Sequence, residues 1–181
     1  MATPIALQLA EDQTHGLDPK KNWNREKRAF VPEEGLVPDG EHAALPGGIP
    51  PAILVVDDNL VVLKAFETKL KADGFTVITT PNAAGVAAIA ESAKVDVILL
   101  DINFPPTIDG GEWSGFTVMH WLKRLAGLGN IPVIMITGSE QPQYREKALA
   151  AGAVALFEKP VNYAELRKAI LKALGSRPEK V

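Results

Sequence analysis

The sequence predicts a doubly wound α/β domain of five strand-helix units, and three observations point there. From Ile53 onward, short apolar runs rich in β-branched residues alternate with amphipathic stretches of helical length. The runs are near-continuous rather than alternating, as in strands buried on both faces. Ordinary helix punctuation falls between them. Parallel neighbours need a crossover and the crossover is a helix, so this alternation implies a parallel sheet covered on both sides.

The strand candidates are Ile53–Val56, Val77–Ile78, Val95–Leu100, Ile131–Ile136 and Val154–Phe157. The helix candidates are about 60–73, 83–93, 115–127, 141–151 and 163–174. Gly74 and Gly152 follow the first and fourth helices as C-terminal stops, and Asn82 and Asn162 precede the second and fifth as N-caps. Trp121, on the third helix, is read as a core residue.

Residues 1–51 carry charges mixed with Pro and Gly and have no sustained apolar period. They read as a flexible N-terminal extension, followed by the folded domain over 52–175 and a short tail over 176–181. Within the extension, basic residues from Lys20 to Arg28 surround Trp23, either as a solvated charge run or as a docking segment.

Composition removes several function classes. The chain has no cysteine, which excludes thiolate and thiol-redox chemistry. A net charge of −3 with no basic stripe argues against general nucleic-acid binding, which needs several phosphates neutralised. No window reaches the apolar length of a membrane span and no leader pattern opens the chain, so the expectation is a cytoplasmic protein away from the membrane. His15 and His42 lie in the extension and His120 inside a helix, which leaves a histidine-based zinc site without support.

In doubly wound sheets ligands sit beyond the carboxyl ends of the strands, near the reversal of winding. The polar residues there are Asp57 and Asp58 after the first strand, Asp101 after the third, Thr137 after the fourth, and Lys159 followed by Pro160 after the fifth. Any one of these acids alone would read as a turn former or cap. Together they form an acidic edge, and carboxylates about 4 Å apart repel by about 4 kcal/mol per pair at an effective dielectric near 20. Lys159 and a hard divalent cation such as Mg²⁺, which takes oxygen ligands, are the charges that would offset this.

These residues, in this order, resemble the receiver domains of two-component response regulators, with a five-stranded, doubly wound (βα)5 flavodoxin-like fold. The resemblance covers roughly residues 52–174 and rests on Ile-Leu-Val-Val-Asp57-Asp58-Asn59, Ile-Leu-Leu-Asp101, Val-Ile-Met-Ile-Thr137-Gly138 and Phe157-Glu158-Lys159-Pro160. It implies that Asp57, Asp58, Asp101 and the Asn103 backbone carbonyl hold Mg²⁺. It implies equally that Asp101 accepts a phosphoryl group from a histidine kinase or phosphotransfer protein, with Thr137 and Lys159 assisting. Lys159-Pro160 is the bond that is cis in the family. Output would then be phosphorylation-dependent contact with a target protein through the face of the fourth and fifth helices and strands, since only Gly175–Val181 follow the last helix.

Two departures stand out. The position three before the lysine, usually Tyr or Phe, is Leu156, and Phe157 beside it should point to the other face. The loop from Ile102 to Gly115 is longer than usual and carries Asp109, Glu112 and Trp113; it reads either as a segment overhanging the pocket mouth, if the helix keeps its place, or as a tolerated surface insertion. Two other functions compete. A haloacid-dehalogenase-like phosphatase needs a second acid where Asn103 stands. A phosphorylation-independent pseudo-receiver binding module would not need the complete set of Asp57, Asp58, Asp101, Thr137 and Lys159.

Overall fold

The computed structural model describes residues 23, 24, 28–30, 49–105, 114–138 and 142–175. Its elements run β1 (Trp23–Asn24), β2 (Ala29–Phe30), β3 (Ala52–Val56), α1 (Leu60–Ala72), β4 (Thr76–Thr80), a 3-10 turn Ala83–Gly85 leading into α2 (Val86–Ser92), β5 (Val97–Asp101), α3 (Gly115–Arg124), β6 (Val133–Thr137), α4 (Pro142–Ala150), β7 (Ala155–Glu158) and α5 (Tyr163–Gly175). Residues 106–113 and 176–181 lie outside the described residues, and with them Asp109, Glu112, Trp113 and the expected tail.

Strands β3 to β7 are parallel and ordered β4-β3-β5-β6-β7. The chain starts in β3, steps outward to β4, then returns to the other side of β3 at β5. The winding therefore reverses between β3, which Asp57 follows directly, and β5, which ends in Asp101. The five expected strand-helix units are all present.

Period-two alternation sorts the strand residues between two apolar layers. Leu54, Val56, Ile98, Leu100, Met135 and Leu156 face α2, α3 and α4. Ile53, Val55, Leu99, Ile136 and Phe157 face α1 and α5. Phe157 thus turns to the opposite layer from Leu156, as alternation requires. With both faces covered, β3, β5, β6 and β7 are buried at every position, which is why they read as continuous apolar runs.

Local chemistry sets the helix ends. The Asn59 side chain accepts from the Val61 and Val62 amides at the start of α1. Asn82 accepts from Ala84, and Asn162 from Ala164 and Glu165. Gly74 and Gly152 end α1 and α4 with φ of +88° and +82°, a conformation other residues enter at a cost.

Two features differ from the sequence reading. Trp121 is 43% exposed: the buried positions of α3 are Gly115, Val118, Met119 and Leu122, and residue 121 falls beside that stripe. The extension, to which the sequence assigned no element, contributes β1 and β2, and β2 pairs antiparallel with β7 so that the sheet has seven strands. Two-residue strands carry too little pattern for periodicity to detect.

Candidate functional site

The carboxyl ends of β3, β5, β6 and β7 bring Asp57, Asp58, Asp101, Thr137 and Lys159 to one edge of the sheet. Asp57, Asp101 and Thr137 are buried, whereas Asp58 is exposed. Carboxylate oxygens of Asp57, Asp58 and Asp101 all lie within 4.8 Å of one another. Lys159 is the cation brought to them: its Nζ donates to Asp57 Oδ2 at 2.7 Å and stands 3.2 Å from Asp101 Oδ2.

The two buried acids are held differently. Asp57 Oδ1 accepts the Asn59 amide at 2.9 Å, so both its oxygens are occupied and the turn into α1 is fixed by the same contact. Asp101 Oδ1 is buried and has no hydrogen-bond partner among the described residues. Burial pushes the Asp101 carboxyl up to about 6; Lys159 opposes the rise, the Asp57 charge adds to it, and the Asn103 backbone amide, near the carboxylate but outside good hydrogen-bond geometry to Oδ1, lowers it a little. Burial also works against the Lys159 charge, but the hydrogen bond to Asp57 and the charges of Asp101 and Asp57 outweigh it and hold the ammonium above its usual range.

A buried carboxylate oxygen left without a donor is costly unless something positive or electrophilic meets it. Three carboxylates, one of them with a buried oxygen that no hydrogen-bond donor engages among the described residues, form an all-oxygen donor set that suits a hard divalent cation, the kind that keeps waters and binds through a few carboxylates. The lysine alone leaves the cluster with an excess of negative charge.

Thr137 Oγ1 lies 3.3 Å from Asn103 Oδ1 and donates to it, and the Thr137 carbonyl accepts the Lys159 amide at 2.8 Å. Asn103 is exposed and pairs with Ser114 in an isolated antiparallel bridge that closes the base of the long loop. The Gly115 amide donates to the Ile102 carbonyl at 2.9 Å, and a Cβ on Gly115 would sit 2.3 Å from the Asp101 carbonyl oxygen. Gly115 therefore lets α3 start directly against the backbone of Asp101. Sequence reasoning gave no role to Gly115, which follows directly on Ser114, the residue whose side chain caps α3 by accepting the Thr117 amide. It also missed Arg28 and Glu158, whose charges pair with Glu158 buried at 3% exposure. The Lys159-Pro160 peptide is cis.

Residues 53–171 match the family model of the response regulator receiver domain. The chain belongs to the response regulator receiver family. The receiver is 31% identical over 127 residues to the polar-differentiation response regulator DivK of Brucella anthropi, covering 70% of this chain and 98% of that one. Among solved structures it resembles the chemotaxis protein CheY4 of Vibrio cholerae, with a TM-score of 0.62 and 26% identity over 69% of this chain and 99% of that one. It also resembles a CheY-like receiver domain protein of Methanospirillum hungatei, with a TM-score of 0.61 and 27% identity over 70% and 94%. This is a receiver-domain response regulator of two-component signalling, and receiver domains are signalling modules. The receiver match begins after the segment that supplies β1 and β2. Among the described residues no helix is long and apolar enough to cross a membrane.

Proposed function

We propose that this receiver takes a phosphoryl group on Asp101 from a phosphohistidine of a histidine kinase or phosphotransfer protein in the cytoplasm, and signals by changed contact with a target protein. The observation that carries the proposal is the asymmetry of Asp101: Oδ2 faces Lys159 while Oδ1 is buried without a partner among the described residues. Oδ1 is then the nucleophile. It forms the new P–O bond as the P–N bond to the donor imidazole breaks, and the electron pair leaves on the imidazole nitrogen. With its pKa near 6, Asp101 is mostly ionised at neutral pH and ready to attack.

Asp57, Asp58 and Asp101, with the Asn103 backbone carbonyl, would hold Mg²⁺. When bound, Mg²⁺ supplies charge neutralisation for the carboxylates and the phosphoryl oxygens. Lys159 keeps its charge at all working pH values and is positioned by Asp57 to follow the phosphoryl oxygens. The Thr137 hydroxyl exchanges its contact with Asn103 for one with the new phosphate. The acyl phosphate brings about −1.5 to −2 charges and strong acceptor oxygens, enough to bias a two-state surface.

The test is the intact mass of wild type and Asp101→Asn after incubation with acetyl phosphate and Mg²⁺ and rapid quenching. Wild type should gain one phosphoryl group, with metal only, and Asp101→Asn none. No gain by wild type, or an equal gain by the variant, would overturn the assignment.

A further inference from the structure

Residues 28–30 lie on the β7 edge beside the site. Ala29 pairs with Phe157 and Phe30 with Leu156, and the Glu158 amide donates to the Arg28 carbonyl at 2.8 Å. The Arg28 guanidinium meets the buried Glu158 carboxylate, and Ala29, 2% exposed, packs into the layer that holds Phe157 and Ile136. The attachment is therefore specific, with backbone, charge and apolar parts. It is also short, and strands of this length are weak on their own. Such an element belongs to the part of a fold that opens first.

Its anchor stands between two site residues. Glu158 immediately precedes Lys159 and is in register with Thr137 across the β6–β7 pair. By strand alternation the Glu158 side chain shares the Thr137 face, and the Lys159 amide donates to the Thr137 carbonyl. A phosphoryl group on Asp101 would draw Lys159 Nζ off Asp57 and Thr137 Oγ1 off Asn103, pulling the ends of β6 and β7 toward the pocket. Glu158 lies on that moving backbone, whereas Arg28 reaches it from outside the parallel sheet.

We propose that residues 28–30 form an intramolecular cover strand over the β7 edge and that phosphorylation of Asp101 loosens it. The inference rests on the phosphoacceptor reading above. Loosening uncovers the Glu158 amide and carboxylate together, an edge suited to an extended segment bearing a cation. The coupling is reciprocal: a chain whose cover is already weakened takes the phosphoryl group more readily.

The test uses the full chain, with acetyl phosphate and Mg²⁺, and reads two quantities on one sample: intact mass for the phosphoryl group, and hydrogen exchange at the Glu158 amide by fragmentation mass spectrometry. Exchange at Glu158 should quicken by roughly 5- to 150-fold in the phosphorylated protein, the range typical of coupled sites. Full phosphorylation with unchanged exchange would overturn the cover proposal and leave the phosphoacceptor reading standing. Absence of any adduct would overturn that reading and the cover with it. Arg28→Gln in the full chain should show fast exchange at Glu158 without phosphodonor and a higher phosphorylated fraction at limiting acetyl phosphate. An unchanged fraction in a folded Arg28→Gln protein contradicts the coupling, and the wild-type experiment decides the matter should the variant not fold.

Discussion

Asp101 is buried at the end of a strand whose other residues are all apolar, and its position costs the folded chain stability for as long as it is ionised. Its carboxyl, raised from 3.8 to about 6, binds a proton more tightly folded than unfolded. Protons therefore favour the folded state, and stability falls as pH climbs from about 4 through 6. Asparagine at this position carries no such penalty. In EDTA, Asp101→Asn should be more stable than wild type at pH 7.5, by up to about 3 kcal/mol for a shift of this size, with the difference shrinking toward pH 4. Urea denaturation of both proteins across that range checks it, and a difference that grows on acidification would contradict the assigned environment. Asp57, Asp58, Asp101, Thr137 and Lys159 were legible as a group, because each stands at or just past a strand end on the edge where such sheets place ligands. Asn103 was legible only through family resemblance. Its side-chain contact with Thr137 depends on how the long loop closes, which no local pattern encodes.

The element that most directly abuts the acceptor is α3. Its first residue, Gly115, leaves no space for a side chain next to the Asp101 carbonyl, and the neighbouring atoms are backbone that cannot swing away. Gly115→Ala should destabilise the chain by about 1–3 kcal/mol, as overpacking does. It should also slow phosphorylation, because relief of the clash moves either α3 or the backbone of Asp101. Thermal melts and the rate of mass gain measure the two effects, and an alanine variant with wild-type stability and rate would contradict the contact. Four of the five parallel strands were readable because burial on both faces makes them continuous apolar runs, the partly buried edge strand β4 showed only its Val77-Ile78 pair, and caps marked the helices. Trp121 was misread because a lone aromatic in an amphipathic helix looks like core until the buried stripe is placed at 118, 119 and 122. β1 and β2 left no mark, since each is two residues long and β2 is held by pairing with distant β7 and by the ion pair of Arg28 with Glu158, 130 positions away.

For the whole molecule, the order in which strands join the sheet does the assembling. Starting in the centre and winding outward in two directions leaves a crevice at β3–β5, and every polar strand end near it becomes part of one site. That consequence of topology made the fold and the acidic edge predictable from one sequence, whereas closure of the β7 edge by a segment from outside the matched receiver region was not. The family places the molecule in two-component signalling; the chemistry turns on which atom bears the phosphoryl group. The decisive measurement is to phosphorylate the full chain with acetyl phosphate and Mg²⁺, reduce the product with borohydride, and map the peptides by mass. An acyl phosphate on Asp101 is reduced to homoserine, so the peptide holding Ile98-Leu99-Leu100-Asp101 should carry homoserine at position 101 and no other carboxylate should be altered. Homoserine at another aspartate, or phosphorylated protein with residue 101 unreduced, would contradict the assignment of Asp101 as the acceptor.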